Sequence, residues 1–254
     1  MTDSPPTVSI DARLAERAAP SKPVVMYQRW EELLFLHWPI LPELVAKDLP
    51  PGLRVDTFGG QAWMGVVPFS MRKVRPRFLP ALPGLSDFPE LNLRTYVVDS
   101  QGRPGVWFYS LDTPKQLPNW IARTFFHLNY RRARMQLAEV GERRMYHSEL
   151  WTESGWDALQ RYEWARTGAP CFAEPGSLDF FLVERYRLFA YDTFRKRLLT
   201  GKVHHEPYSI QSARVSNYSR RLFSTNGLPC PEDAPSSALA SKGVDVRIYP
   251  MEVV

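Results

Sequence analysis

The clearest pattern in the chain is the alternation across residues 91–98 (LNLRTYVV). Leu91, Leu93, Thr95 and Val97 fall on one face, and Asn92, Arg94 and Tyr96 on the other. That period of two predicts a β-strand. Residues 244–249 (VDVRIY) alternate in the same way, while 61–68 (QAWMGVVP), 105–111 (GVWFYSL) and 184–191 (ERYRLFAY) are rich in the aromatic and β-branched residues that favour strands. Helical patterns are fewer. Leu41–Lys47 predicts a short helix, ended by the prolines at 50 and 51. Leu117, Ile121, Thr124, Phe125 and Leu128 have helical spacing, with Pro118 suited to a first turn. Glycine and proline punctuate the remainder as they do between antiparallel strands. The expectation is a mainly β fold: a large antiparallel sheet or barrel with a few covering helices.

The 254 residues, 44% hydrophobic and 23% charged, suit a globular chain able to bury a large core. Residues 1–24 are rich in proline, serine, alanine and charge and read as a flexible tail with a short helix at 11–19. Residues 25–254 read as one β domain. The segment 226–242 (NGLPCPEDAPSSALASK) is expected to be a loop within it, because a strand pattern follows. Cys171 and Cys230 form neither a metal pattern nor a disulfide framework, which points to free thiols in a reducing, cytoplasmic setting. No apolar run reaches the roughly 20 residues that span a bilayer. The N-terminus lacks the apolar core of a signal peptide, so no membrane association is expected.

The net charge is +5, and the bases are 25 Arg against 7 Lys. The densest runs, 72–77, 131–134 and 195–197, are scattered and match no nucleic-acid motif, so no nucleic-acid partner is expected. Arginine suits paired contacts to carboxylates. If Leu91, Leu93 and Val97 face a core, Glu90, Asn92, Arg94 and Tyr96 share the other face at spacings of roughly 6–7 Å. In an enclosed space Arg94 could clamp an organic anion while Glu90 or Tyr96 handles a proton. On a water-exposed face the same residues would be an ordinary Glu–Arg pairing. His37 and His205 are candidate bases or structural histidines. No HExxH, GxSxG, Walker or GxGxxG pattern occurs, so neither a metal site nor a cofactor is expected.

Seven ordered blocks carry a resemblance: residues 28–40 (QRWEELLFLHWPI), 60–71 (GQAWMGVVPFSM), 90–97 (ELNLRTYV), 105–112 (GVWFYSLD), 128–135 (LNYRRARM), 177–189 (SLDFFLVERYRLF) and 204–210 (HHEPYSI). They resemble the uncharacterised YqjF-like family, grouped with the acetoacetate-decarboxylase-like superfamily. The resemblance implies a cone-like antiparallel barrel enclosing a small-molecule cavity. It also implies that Glu90 matches the decarboxylase strand bearing an active-site glutamate. The block at 128–135 lies where decarboxylases hold their imine-forming lysine, yet here it reads Tyr130, Arg131 and Arg132. Arginine, with a pKa above about 12, does not lose the proton that imine chemistry requires. Lys73 and Lys115 are the weak substitutes.

The expected function is therefore binding of a small organic anion, or lyase-like chemistry without a Schiff base. Arg94 and Arg132 would hold the anion, Asn92 and His205 would assist, and Trp63, Trp107, Tyr109 and Tyr130 would line the wall. The alternative is a non-catalytic ligand-sensing or protein-interaction module, with a homo-oligomer possible through barrel edges.

Overall fold

The computed structural model describes residues 8–114 and 127–254. Most of the helix expected at 117–128 lies outside them. Among the described residues the chain forms a thirteen-stranded sheet with four short helices. The strands are β1 (Met26–Ile40), β2 (Leu53–Val55), β3 (Ala62–Pro76), β4 (Phe88–Asp99), β5 (Pro104–Thr113), β6 (Tyr130–Val140), β7 (Arg143–Thr152), β8 (Gly155–Trp156), β9 (Gln160–Phe172), β10 (Arg187–Asp192), β11 (Arg197–His205), β12 (Ser209–Asn217) and β13 (Ser237–Val253). The helices are α1 (Ile10–Ala15), α2 (Pro42–Ala46), α3 (Leu178–Val183) and α4 (Arg221–Thr225). The mainly β reading thus holds. The expected loop at 226–242 ends early, because β13 begins at Ser237.

The sheet closes on itself twice. One closed path runs β5-β6-β7-β9-β12-β13-β1-β3-β4 and returns to β5; the other runs β13-β11-β10-β5-β4-β3-β1 and returns to β13. The two rings share the wall β13-β1-β3-β4-β5. Pairing is antiparallel except at β5–β6 and β5–β10, which are parallel. Closure removes the exposed edges that an open sheet would leave unpaired.

A shared wall is apolar on both faces, and the strand alternation sorts its side chains between two cores. Leu33, Phe35, Trp63, Val67, Phe69 and Tyr96 belong to one core; Leu34, Leu36, Met64, Val66, Leu91 and Leu93 belong to the other. The first core lies inside the β10–β11 ring and is closed by α3, whose Phe180–Val183 are buried. Ser177 starts that helix by accepting a hydrogen bond from the Phe180 amide at 3.1 Å. The second core packs against β7, β9 and α4 through Tyr146, Tyr162, Trp164, Leu222 and Phe223.

Within the segment expected to be a flexible tail, residues 8–17 pack against the barrel. Val8 and Arg13 are buried, and Arg13, Glu16 and Arg17 make ion pairs to Asp56, Arg187, Lys202 and Glu184. Composition suggested disorder because the segment is polar. The polarity instead serves matched, half-buried charges on the barrel.

Candidate active site

The β10–β11 ring holds a cavity of about 60 Å³, measured as the space open to the centre of a water-sized sphere, where roughly 10–15 Å³ suffices for one water. The space thus fits a few waters or a compact ligand. Its wall is largely apolar, built by Trp30, Leu33, Val67, Phe69 and Leu188 among others, and its polar lining includes Glu90, Asn92, Arg94, Tyr130 and Arg185.

The register of β4 brings three of these together. Glu90, Asn92 and Arg94 stand opposite Phe69, Val67 and Gly65 of β3, and all three side chains are buried. Gly65 makes room here, since a Cβ at that position would sit 3.1 Å from the His37 ring and 3.4 Å from Arg94 Cγ. Each of the three carries a buried polar atom without a protein partner: Glu90 Oε2, Asn92 Oδ1 and Arg94 Nε. Such atoms cost about 1–3 kcal/mol each if left unsatisfied. All three residues line the one cavity.

Electrostatics sharpen the picture. Burial pushes the Glu90 carboxyl up to about 8; a hydrogen bond from Asn92 works against that rise and the nearby Asp112 adds to it. Glu90 is therefore largely protonated at neutral pH and presents a neutral acid. Tyr130 is held well above its ordinary value, first by burial and then by Glu90, so its phenol keeps its proton. Arg94 forms no ion pair among the described residues. Its Nη2 donates to Leu182 O at 3.3 Å.

Helix α3 organises the far end. The last carbonyls of a helix lack partners within it. Here Leu182 O accepts from Tyr96 Oη at 2.7 Å, and Phe181 O accepts from Arg185 Nε at 2.7 Å. Since Tyr96 gives its proton to Leu182, it accepts from His37 Nε2 at 2.7 Å. The His37 proton then sits on Nε2, and burial, then the Arg94 and Arg185 charges, lower its pKa well below the usual range. His37 is thus a neutral buttress for Tyr96.

Arg185 is a cavity residue that sequence reasoning missed. Its Nη1 binds Asp56 Oδ2 at 2.7 Å, while its Nη2 is buried and unpartnered. Burial lowers its pKa to about 10, with Asp56 opposing, so it stays charged at neutral pH. The signal was weak in the sequence, because Asp56 is 129 positions away.

The other expected residues distribute as follows. Glu90, Asn92, Arg94 and Tyr130 line the cavity. Tyr96 lies on the same face, behind Arg94, and is committed to His37 and Leu182. Trp63 is buried in the same core but is not part of the lining. Trp107 and Tyr109 instead line a separate surface cleft with Asn129. A register shift between Leu93 and Arg94 against β5 sends Tyr109 to the opposite core. Arg132 is exposed and lies over the Trp151 and Trp156 rings at 5.5 and 5.6 Å, away from the cavity. Its neighbour Arg131 binds Asp112 at 2.7 Å. His205 is buried between backbone carbonyls of Glu206 and Arg185, stacked on Tyr186. Among the described residues no group of His, Cys, Asp and Glu could hold a metal ion.

Lysine is absent from the cavity lining, with Lys115 outside the described residues. Val203 faces the cavity, so its neighbour Lys202 points away and binds Glu16 at 2.7 Å. Lys73 is exposed near the end of β3, with φ +51°.

Residues 27–245 match the model of the DUF2071 family, described as an uncharacterized conserved protein. The chain belongs to that family. The uncharacterized protein YqjF of Bacillus subtilis (strain 168) is 38% identical over 227 residues, covering 89% of this chain and 91% of that one. Three solved structures share the fold of this DUF2071 member. The enduracididine biosynthesis enzyme MppR, complexed with the condensation product of pyruvate and imidazole 4-carboxaldehyde, superposes with TM-score 0.61 at 13% identity, covering 94% of this chain and 92% of that one. Acetoacetate decarboxylase from Legionella pneumophila superposes with TM-score 0.61 at 14% identity, covering 100% and 98%. An acetoacetate decarboxylase-like enzyme from Sphingomonas wittichii RW1 gives 0.58 at 14%, covering 91% and 93%. The acetoacetate-decarboxylase-like fold expected from the seven blocks is therefore present. No helix among the described residues is long and apolar enough to cross a membrane.

Proposed function

We propose that this DUF2071 protein binds a compact organic anion in the β10–β11 cavity and acts on it, if it turns over, through Glu90 as a general acid or base without an imine intermediate. The supporting observation is that Glu90, Asn92 and Arg94 line one cavity and that each carries a buried polar atom without a protein partner. Arg94 and Arg185 supply guanidinium donors for a carboxylate, the geometry at which arginine excels. Asn92 Oδ1 accepts from a hydroxyl or enol on the guest. Glu90, neutral until about pH 8, gives a proton or, once ionised, takes one. The apolar wall selects a short carbon skeleton.

Pyruvate and acetoacetate are the natural probes, since neighbours in the fold are an MppR complex containing a pyruvate product and an acetoacetate decarboxylase. The test is calorimetric titration with acetate, pyruvate and acetoacetate. Saturable binding of at least one, lost in Arg94→Gln with the fold retained, is expected. No binding to the wild-type protein, or equal binding to Arg94→Gln, overturns the reading.

A further inference from the structure

The N-terminal segment touches the cavity wall through two arginines. Asp56 receives Arg13 end-on, Nη1 to Oδ2 and Nη2 to Oδ1, each at 2.7 Å. It also receives Arg185 Nη1 on Oδ2 at 2.7 Å. Arg185 Nε is fixed on Phe181 O at 2.7 Å, and its guanidinium lies 4.3 Å from the Phe181 ring and 4.6 Å from that of Tyr96. These contacts leave Nη2 as the donor without a partner. A few residues on, Glu16 takes Arg187 Nε and Nη2 at 3.1 and 3.2 Å, and Thr200 takes Nη1 at 3.3 Å. Both arginines line the cavity. One is fully engaged; the other keeps a donor open.

We propose that residues 8–17 are a working part of the ligand site, with Arg13 as a positioning residue that holds Arg185 open toward the cavity by occupying Asp56. The competition is geometric. A carboxylate facing a lone guanidinium is chelated by two of its nitrogens. With Arg13 on Oδ1, Arg185 reaches Asp56 through Nη1 alone, and Nη2 is left for a guest. Without Arg13, both Nη groups of Arg185 turn onto Asp56, Nε leaves Phe181, and the open donor is withdrawn. Sequence composition hides this role, because the segment reads as a polar tail.

The affinity part of this inference rests on the anion-binding reading of the cavity; the side-chain geometry does not. The experiment therefore has two arms on the full chain. In the first, hydrogen exchange at Arg185 Nε is followed by NMR without ligand, in wild type and Arg13→Gln. Faster exchange in the variant is expected, and an unchanged rate overturns the proposal. In the second, pyruvate is titrated into both proteins. Affinity is expected to fall about tenfold, the worth of one charge-assisted hydrogen bond. Ethylguanidine is expected to restore it to Arg13→Ala, which a purely structural loss would not allow. Undiminished affinity in Arg13→Gln overturns the proposal. If the wild type binds no carboxylate, the anion reading fails, and the exchange arm alone decides the positioning claim. Arg13→Lys keeps the charge but not the end-on pairing. It replaces Arg13→Gln if the neutral variant does not fold, and the same faster exchange is expected.

Discussion

His37 and Tyr96 act as one hydrogen-bonded unit: the ring Nε2 lies 2.7 Å from the phenol oxygen, which hands its own proton to Leu182 O at 2.7 Å. Both residues are fully buried. The strand pattern suggested that Tyr96 could move a proton for a ligand; its hydroxyl is instead fully used in tying β1 and β4 to the end of α3. Tyr96→Phe strands His37 Nε2 and leaves Leu182 O with Arg94 Nη2 alone. It is expected to destabilise the fold by about 1–3 kcal/mol, measured by urea unfolding. Pyruvate affinity is expected to fall less than in Arg94→Gln. A large loss of affinity at unchanged stability would move Tyr96 to the ligand.

Glu90 gives the fold a distinctive pH dependence. Its folded-state pKa, about 8, lies above the ordinary 4.5 because burial disfavours the charge. Between those values the native state binds the proton that the unfolded chain has released. This contribution to stability is complete below about pH 4.5 and is lost as the pH rises toward 8. The slope from this group reaches roughly 1.4 kcal/mol per pH unit. Glu90→Gln keeps the shape and the neutral state, so its stability curve is expected to be flatter across that window. Superimposable curves would place the Glu90 pKa near its ordinary value.

Gly65 is the steric partner of the site. A methyl group there meets the His37 ring at 3.1 Å and Arg94 Cγ at 3.4 Å. Gly65→Ala is expected to cost about 1–3 kcal/mol by overpacking, and to weaken pyruvate binding as Arg94 shifts. Thermal unfolding and titration check both. Wild-type values in each would mean that the β1–β4 contact yields without moving the guanidinium.

Borohydride trapping with pyruvate or acetoacetate is expected to give no covalent adduct. Among the described residues no lysine lines the cavity, and the block where an imine-forming lysine was sought offers Arg131 bound to Asp112. A mass increase on any lysine, by peptide mapping, would restore Schiff-base chemistry.

What could be read from the sequence followed the reach of each signal. The β4 alternation gave Glu90, Asn92 and Arg94 their common face, because a period of two is a local property of the strand. Arg132 had the right chemistry, but where a strand leaves a barrel depends on closure, and it lies outside beside Trp151 and Trp156. Trp107 and Tyr109 were separated from the cavity by a register shift that no pattern announces. Arg185 and Arg13 become visible only once Asp56 joins segments far apart in sequence. The double closure of the sheet was equally hidden, since it rests on pairings between strands far apart in sequence.

The most direct test is the Arg94 Nε–H signal in a ¹⁵N NMR titration with pyruvate. Nε is a buried donor without a protein partner. A saturable shift at Arg94, with exposed arginines such as Arg132 unaffected, is the predicted result. An Arg94 signal that stays fixed while pyruvate is raised to saturating excess would contradict an anion site in this cavity.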